Sequence, residues 1–120
     1  MAAFRYLVQN VDKSVQFYTE LLEFKLEQQY GPAMAIVSKG DLKLWLAGPS
    51  SSAAQPMPDG SQPCSGGWSR FVLQVENLPQ LVARLKAKDV RFRNEITKGT
   101  GGSQVLCEDP SGNPIELFEQ

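Results

Sequence analysis

A single carboxylate near the end of the chain suggests metal chemistry. Glu116 lies in residues 115–118, which follow the tight turn at 109–113 and have the apolar composition of a β-strand. Alternation along that strand predicts that Glu116 and Phe118 lie on one face and the apolar residues between and before them on the other. A metal site would need further ligands, and the chain contains no histidine. The role of Glu116 therefore depends on which residues the fold places beside it.

The other reactive residue types give weaker signals. Cys64 and Cys107 are too few for a disulfide framework and lack the spacing of metal ligands. A catalytic thiol usually needs a neighbouring base, and histidine is absent, so we expect two free thiols without a role. Residues 98–102, KGTGG, have the composition of a phosphate loop, but no helix pattern follows them. We interpret them as a flexible connection between strands.

The composition favours one small globular domain and excludes several classes of partner. The 120 residues include 42% hydrophobic and 21% charged residues, with a net charge of -1. No basic stripe indicates a nucleic-acid partner. No apolar run approaches the roughly 18 residues of a membrane span, and the start MAAFRYLVQN lacks a signal-peptide pattern. We therefore expect a cytoplasmic protein with no nucleic-acid or membrane partner.

The chain contains two similar halves separated by a linker. Residues 48–67 are rich in Pro, Ser and Gly, which predicts a connecting segment. The strand-like run 5–12 before this linker matches the run 70–77 after it, and the two runs end at the candidate helix N-caps Asp12 and Asn77. Apolar residues at helical spacing follow both caps: Val15, Tyr18, Leu21 and Leu22 in the first half, and Leu78, Leu81, Val82 and Leu85 in the second.

Three strand-like segments follow each helix pattern. They are 24–29, 33–38 and 42–47 in the first half, and 90–94, 104–108 and 115–119 in the second. The predicted order is therefore strand, helix and three strands, repeated once.

The repeat, the Phe17-Tyr18 pair in the first helix and the C-terminal string DPSGNPIEL together resemble the vicinal oxygen chelate superfamily. This group includes glyoxalase I, bleomycin-resistance and fosfomycin-resistance proteins, and extradiol dioxygenases. The resemblance implies a single α+β domain of two βαβββ modules, about 1–47 and 68–120, joined by the linker 48–67. It also implies a cupped mixed sheet, mostly antiparallel, and a homodimer with two clefts.

The resemblance also indicates where a metal would bind. Metal-dependent members of the family take two ligands from the first strand of each module and two from the last. Counted back from the expected caps, the first-strand positions are Arg5 and Arg70, and the last-strand positions are Lys43 and Glu116. Arginine offers no lone pair, and three cations repel a divalent metal by several kcal/mol per pair, so we expect neither metal nor other cofactor. Only a register slip of about four residues, which would turn a glutamine of each first strand inward, would restore neutral ligands.

Two interpretations of these charges remain open. In one, Glu116 forms a buried ion pair with Arg5 or Arg70, which need not stabilise the fold. In the other, the basic residues hold a carboxylate or phosphate and Glu116 holds an amine. Aromatic residues at alternating positions on the same strands predict an apolar cleft around the charges. The expected ligand-binding residues are Arg5, Lys43, Trp45, Trp68, Arg70, Glu116 and Phe118.

The sequence predicts a metal-independent protein that binds an aromatic or charged small molecule in a dimeric cleft, similar to bleomycin-resistance proteins. The alternatives are a glyoxalase-related lyase, an isomerase or a dioxygenase-like enzyme acting on a small metabolite, or an interaction module whose cleft is filled by side chains. Whether any chemistry occurs stays open, and no catalytic residue is assigned.

Overall fold

Two compact units, Met1–Gly66 and Gly67–Gln120, make up the chain in a computed structural model that describes all 120 residues. Each unit has one α-helix and one four-stranded mixed sheet, which confirms the predicted α+β class and the βαβββ repeat. The elements in chain order are β1 (Phe4–Leu7), α1 (Val11–Leu21), β2 (Lys25–Tyr30), β3 (Met34–Lys39), β4 (Leu42–Ala47), a 3-10 turn (Ser52–Ala54), β5 (Val72–Gln74), α2 (Leu78–Ala87), β6 (Thr97–Lys98), β7 (Ser103–Glu108) and β8 (Pro114–Glu119). No helix has the length and apolar character required to cross a membrane.

The first sheet has the strand order β1-β4-β3-β2, with β1 parallel to β4 and the other pairs antiparallel. Helix α1 packs on one face of this sheet, where alternate residues of β1, β3 and β4 are buried, whereas no residue of the edge strand β2 is. Tyr18 lies at the centre of this core and makes edge-to-face contacts with Phe17 and Phe24, at centroid distances of 5.0 and 5.3 Å. The core of this unit is formed by Tyr6, Val8, Val11, Phe17, Tyr18, Leu22, Phe24, Ala35, Val37, Leu44 and Leu46.

Helix α1 begins two residues earlier than the sequence predicted. Asn10, not Asp12, is the N-cap: its backbone is extended and its Oδ1 accepts a hydrogen bond of 2.9 Å from the N–H of Lys13. Asp12 lies in the first turn, where its carboxylate accepts a bond of 2.6 Å from Nε2 of Gln29 on β2. The predicted cap was wrong because this contact uses Asp12 to tie the helix to the sheet.

The apolar face of α1 also differs from the prediction. Val15 and Leu21 are only half-buried, whereas the small polar Ser14 is fully buried. The Oγ of Ser14 donates to the carbonyl of Asn10 at 2.8 Å, so the hydroxyl group is satisfied in the core. The residues of α1 that face the sheet are Val11, Ser14, Phe17 and Tyr18.

The second sheet has the order β5-β8-β7-β6, with β5 parallel to β8 and the other pairs antiparallel. Helix α2 packs on it through Leu78, Val82 and Leu85. The predicted cap Asn77 is confirmed, since its Oδ1 accepts from the N–H of Gln80. The N–H groups of Asn77 and Leu78 donate in addition to the two carboxylate oxygens of Glu119, at 2.7 and 2.8 Å. The last strand therefore completes the cap of α2.

The strand predicted at 90–94 is not formed. Phe92 makes one isolated bridge with Cys107, and Arg93 donates its N–H to the carbonyl of Leu106. At the next position the Oδ1 of Asn94 accepts from the N–H of Leu106 at 2.9 Å, where a strand would place a carbonyl. The side chain thus replaces the ladder bond and the pairing stops, to resume only at β6.

Candidate functional site

The first sheet presents a second face, opposite α1, that contains the charged residues predicted in this unit. Along β4 the residues Leu44 and Leu46 are fully buried against the helix, while Lys43 and Trp45, which alternate with them, point to the second face and are half-buried. In register, Trp45 lies beside Arg5 of β1 on one side and beside Ile36 of β3 on the other. Residues that share this face include Arg5, Leu7, Met34, Ile36, Ser38, Lys43 and Trp45.

Arg5 lies over the Trp45 ring, with its guanidinium carbon 5.1 Å from the ring centroid. This is the geometry of a cation–π interaction. The guanidinium group forms no hydrogen bond or ion pair within the chain, and the same is true of the Lys43 ammonium group. Both cations therefore keep their donor capacity for a group from outside the unit.

Only one acidic side chain offsets the basic ones on the strands of this face. Glu27, at a bulge in β2, accepts a bond of 2.9 Å from Oγ of Ser38 and lies 3.9 Å from the ammonium of Lys25. The hydrogen bond from Ser38, and then the charges of Lys25 and Lys43, lower the pKa of Glu27 below its ordinary value of 4.5. Arg5, Lys25 and Lys43 against Glu27 leave an excess of two positive charges.

In the second unit the predicted carboxylate is engaged by an arginine. The Nε and Nη2 atoms of Arg70 donate to the same oxygen of Glu116, Oε1, at 3.1 and 2.8 Å. Nη1 donates to the carbonyl of Trp68 at 3.3 Å. The Glu116 side chain is 12% exposed and that of Arg70 is 29% exposed, so the pair is partly desolvated. Arg70 precedes β5 instead of lying within it, and Val72 is the register partner of Glu116.

A second ion pair in this unit was not predicted from the sequence. Nε of Arg93 donates to Oε2 of Glu108 at 2.7 Å, and its two Nη atoms donate to the carbonyls of Gly67 and Gly112 at 2.6 and 3.0 Å. The guanidinium carbon also lies 4.6 Å from the centroid of the Trp68 ring. Alternation in RFRN (91–94) places Arg93 on the opposite face from Phe92, but nothing in the sequence identifies Glu108 as its partner. Arg93 holds the ring of Trp68 from one side while 68% of the residue stays exposed.

The corrected cap changes how the two modules align. Arg5 lies five residues before Asn10, and Val72 lies five residues before Asn77, so these two positions correspond. Arg70 lies seven residues before the cap Asn77, and the position seven residues before the cap Asn10 is Ala3. Trp45 is the register partner of Arg5, and Glu116 is the register partner of Val72. Trp45 is therefore the equivalent of Glu116 in the first module.

These residues do not fit the metal that the family resemblance suggests. Ala3 has no side-chain donor atom, Arg70 is a cation, and Trp45, at the position equivalent to Glu116, offers no lone pair to a metal. One oxygen of Glu116 is already committed to Arg70. No group of three or more His, Cys, Asp or Glu side chains comes together in a way that could hold a metal ion.

The predicted site residues divide between the two units. Arg5, Lys43 and Trp45 share a face of the first sheet. Phe118 lies half-buried on the same face of β8 as Glu116, while Ile115 and Leu117 are fully buried on the other face. The second unit also carries an open pocket of about 330 Å³, which contains none of the predicted residues; its lining is Lys86, Val90, Phe92, Arg93, Asn94 and Glu95.

Comparisons with known proteins identify a family. The sequence profile described as Glyoxalase/Bleomycin resistance protein/Dioxygenase superfamily matches residues 1–117. No curated protein matches the sequence. Many solved structures match, among them a hypothetical protein from S. aureus, with 22% identity, a TM-score of 0.78 and coverage of 100% of this chain and 93% of that chain.

Two further solved structures share the fold. A lactoylglutathione lyase from Agrobacterium tumefaciens has 16% identity and a TM-score of 0.75, covering 99% of this chain and 92% of that chain. A superfamily member from Sphaerobacter thermophilus has 19% identity and a TM-score of 0.73, covering 100% and 98%. At these identities the similarity establishes the fold alone.

Proposed function

This chain belongs to the Glyoxalase/Bleomycin resistance protein/Dioxygenase superfamily, and we propose that it binds a small aromatic anion without the help of a metal ion. The observation that carries the proposal is the arginine stacked on a tryptophan with no acceptor in the chain: Arg5 over Trp45, with Lys43 on the same face. The function is binding, with no chemical step assigned.

The charge distribution favours an anion at the first sheet. In the second unit, Arg70 and Arg93 are each paired with a glutamate. In the first unit neither Arg5 nor Lys43 forms an ion pair, although the charge of Lys43 acts on Glu27, and the strands of that face carry an excess of positive charge. A carboxylate that accepts bonds from these cations would supply the missing acceptor.

The aromatic part of the ligand follows from the surroundings of the cations. Trp45, Ile36 and Leu7 provide half-buried apolar surface on the same face as Arg5. Stacking on Trp45 also fixes the guanidinium plane, so less side-chain entropy is lost when a ligand binds. A flat ring that carries one carboxylate satisfies both features.

The enzyme alternatives have less support from the chain's own residues. A lyase, isomerase or dioxygenase-like reaction would need a metal or a free acid–base pair. Three of the four metal positions lack a donor, and at the fourth one oxygen of Glu116 accepts two bonds from Arg70. The structurally similar lactoylglutathione lyase shares the fold at 16% identity, and this similarity supports no particular reaction for this chain.

The fluorescence of Trp45 reports ligand binding at the proposed site. In a Trp68→Phe background, Trp45 fluorescence and titration calorimetry follow the addition of benzoate, benzyl alcohol and cyclohexanecarboxylate. We expect saturable benzoate binding, with benzyl alcohol about tenfold weaker because it lacks the charge-assisted bonds. Cyclohexanecarboxylate should also bind more weakly, since it lacks a flat ring.

Matched variants separate the site from general charge effects. Arg5→Gln and Lys43→Gln should each weaken benzoate binding by about tenfold. Lys13→Gln removes the same charge from an exposed position on α1 and should change the affinity for benzoate by less than about twofold. The proposal fails if benzyl alcohol equals benzoate, if Arg5→Gln has no effect, or if binding requires a metal removable by chelator.

The same proposal includes a homodimer, as in the small members that the chain resembles. Sedimentation equilibrium should then give about twice the chain mass of 13.3 kDa. A single species of the monomer mass at micromolar concentration would contradict this part alone.

A further inference from the structure

We propose that the second unit contains a binding site for a zwitterionic aromatic amino acid, formed by Arg70, Glu116 and Trp68. This inference goes beyond the aromatic-anion function, because it concerns residues of the other unit and a ligand with two opposite charges. It rests on the hydrogen-bonding capacity that the Arg70–Glu116 pair leaves unused.

The pair exposes donors and an acceptor side by side. Arginine has five N–H donors, and Arg70 uses three, two toward Oε1 of Glu116 and one toward the carbonyl of Trp68. One N–H therefore remains on each Nη atom. The Oε2 atom of Glu116 has no hydrogen-bond partner in the chain and is not sealed from solvent. The ion pair is formed, but two N–H groups of Arg70 and one carboxylate oxygen of Glu116 keep unused hydrogen-bonding capacity.

A zwitterion matches this arrangement better than a ligand with one charge. A lone carboxylate would gain bonds from Arg70 but would also face the negative charge of Glu116. A lone amine would gain a bond to Oε2 but would face the positive charge of Arg70. An α-amino acid places its carboxylate on Arg70 and its ammonium group on Glu116, so both pairings are favourable.

Apolar groups around the pair indicate an aromatic side chain. Val72 is the register partner of Glu116 on one side and Leu106 on the other, while Phe118 lies two residues along the same strand face. Trp68 is largely exposed, and its ring is held by the guanidinium of Arg93 on one side. A ring held in this way loses little freedom when another ring packs against it.

The experiment compares three ligands that share a phenyl ring. In a Trp45→Phe background, so that Trp68 is the only tryptophan, fluorescence and calorimetry measure binding of L-phenylalanine, phenethylamine and hydrocinnamate. Phenethylamine lacks the carboxylate and hydrocinnamate lacks the amine. L-Phenylalanine should bind at least about tenfold more tightly than either, because each loses one charge-assisted bond.

A charge-neutral variant tests the acceptor directly. Glu116→Gln keeps the shape and an oxygen acceptor for Arg70, and it should weaken L-phenylalanine binding by about tenfold, to the level of hydrocinnamate. Glu95→Gln removes the same charge from a side chain that is 92% exposed and should change binding by less than about twofold.

The ligand series decides the question even if Glu116→Gln does not fold. Equal affinity for L-phenylalanine and hydrocinnamate would overturn the proposal, because the amine would then go unrecognised. Absence of saturable L-phenylalanine binding would overturn it as well. Either failure is distinguishable from failure of the aromatic-anion function, which is judged by benzoate binding and its dependence on Arg5 and Lys43.

Discussion

Replacing Arg93 by methionine should be among the most destabilising single substitutions in the second unit. The guanidinium group donates to Glu108, Gly67 and Gly112 and stacks on Trp68. Methionine keeps the apolar stem but removes all three donors and the charge. Glu108 would then remain as a largely buried carboxylate without its partner.

The expected loss of folding free energy is about 3 kcal/mol. Hydrogen bonds to charged groups contribute about 1.5–3 kcal/mol each, and removal of one member of a buried pair costs about 3–5 kcal/mol. We take the lower end because the Arg93 and Glu108 side chains keep 16% and 17% of their surface exposed, so water can screen the remaining charge. For a urea m value of about 2 kcal/mol per molar, the midpoint should fall by about 1.5 M.

Urea unfolding followed by far-ultraviolet circular dichroism measures this loss. Arg91→Met is the matched control, because Arg91 is exposed and forms no side-chain ion pair; it should stay within about 0.5 kcal/mol of the parent. The double variant Arg93→Met with Glu108→Met should be more stable than Arg93→Met alone, since it removes the unpaired charge. A loss below about 1 kcal/mol for Arg93→Met, or a double variant less stable than the single one, would refute this reasoning.

Three further predictions concern backbone space, a buried thiol and a helix end. Gly48→Ala should cost about 1–3 kcal/mol in urea unfolding, because a Cβ there would lie 2.7 Å from a backbone oxygen; Gly99→Ala, with no atom nearer than 3.9 Å, should be nearly neutral, and equal losses would contradict the packing argument. Burial raises the pKa of Cys107 from 9.0 to about 12. Its folded pKa exceeds the unfolded one, so its contribution to stability is complete below pH 9 and is lost as pH rises toward 12, by about 1 kcal/mol between pH 9 and 10. A thiol reagent should modify only the exposed Cys64 in the native chain, and fast modification of both would show that Cys107 is accessible. Asp89→Gly should stabilise by about 0.5–1 kcal/mol in thermal unfolding, because Asp89 has a φ of 63° at the end of α2; Asp89→Ala keeps the strain and should show no gain.

Local patterns predicted most of the fold because the elements carry their own signals. Strand β4 has the predicted bounds, since its alternation is clear and a Gly-containing turn precedes it. The start of α1 was missed because Asn10 and Asp12 are both good caps by residue type. The contact between Asp12 and Gln29, seventeen residues away, is tertiary information that a local pattern does not contain.

The charged site was harder to predict because ion pairs depend on strand register. Glu116 and Arg70 are 46 residues apart, and Arg93 and Glu108 are 15 apart. Alternation gives the face of a side chain but not its neighbour on the next strand. The segment 90–94 shows the same limit, since the side chain of Asn94 replaces a ladder bond that residue composition would assign to the backbone.

The two helices obtain their N-terminal caps over very different chain lengths, and this sets an order of events during synthesis. The cap of α1 is complete when Lys13 is in place, and β1 has its parallel partner once β4 has emerged. The two carboxylate bonds that complete the cap of α2 come from Glu119, more than 40 residues later, and β5 also waits for β8. On a translating ribosome the N-terminal unit can therefore acquire its pairings while the second helix still lacks its cap. A force-sensitive arrest sequence placed after residue 66 should register folding of that unit, and a C-terminal unit lacking Glu119 should leave α2 frayed at its start.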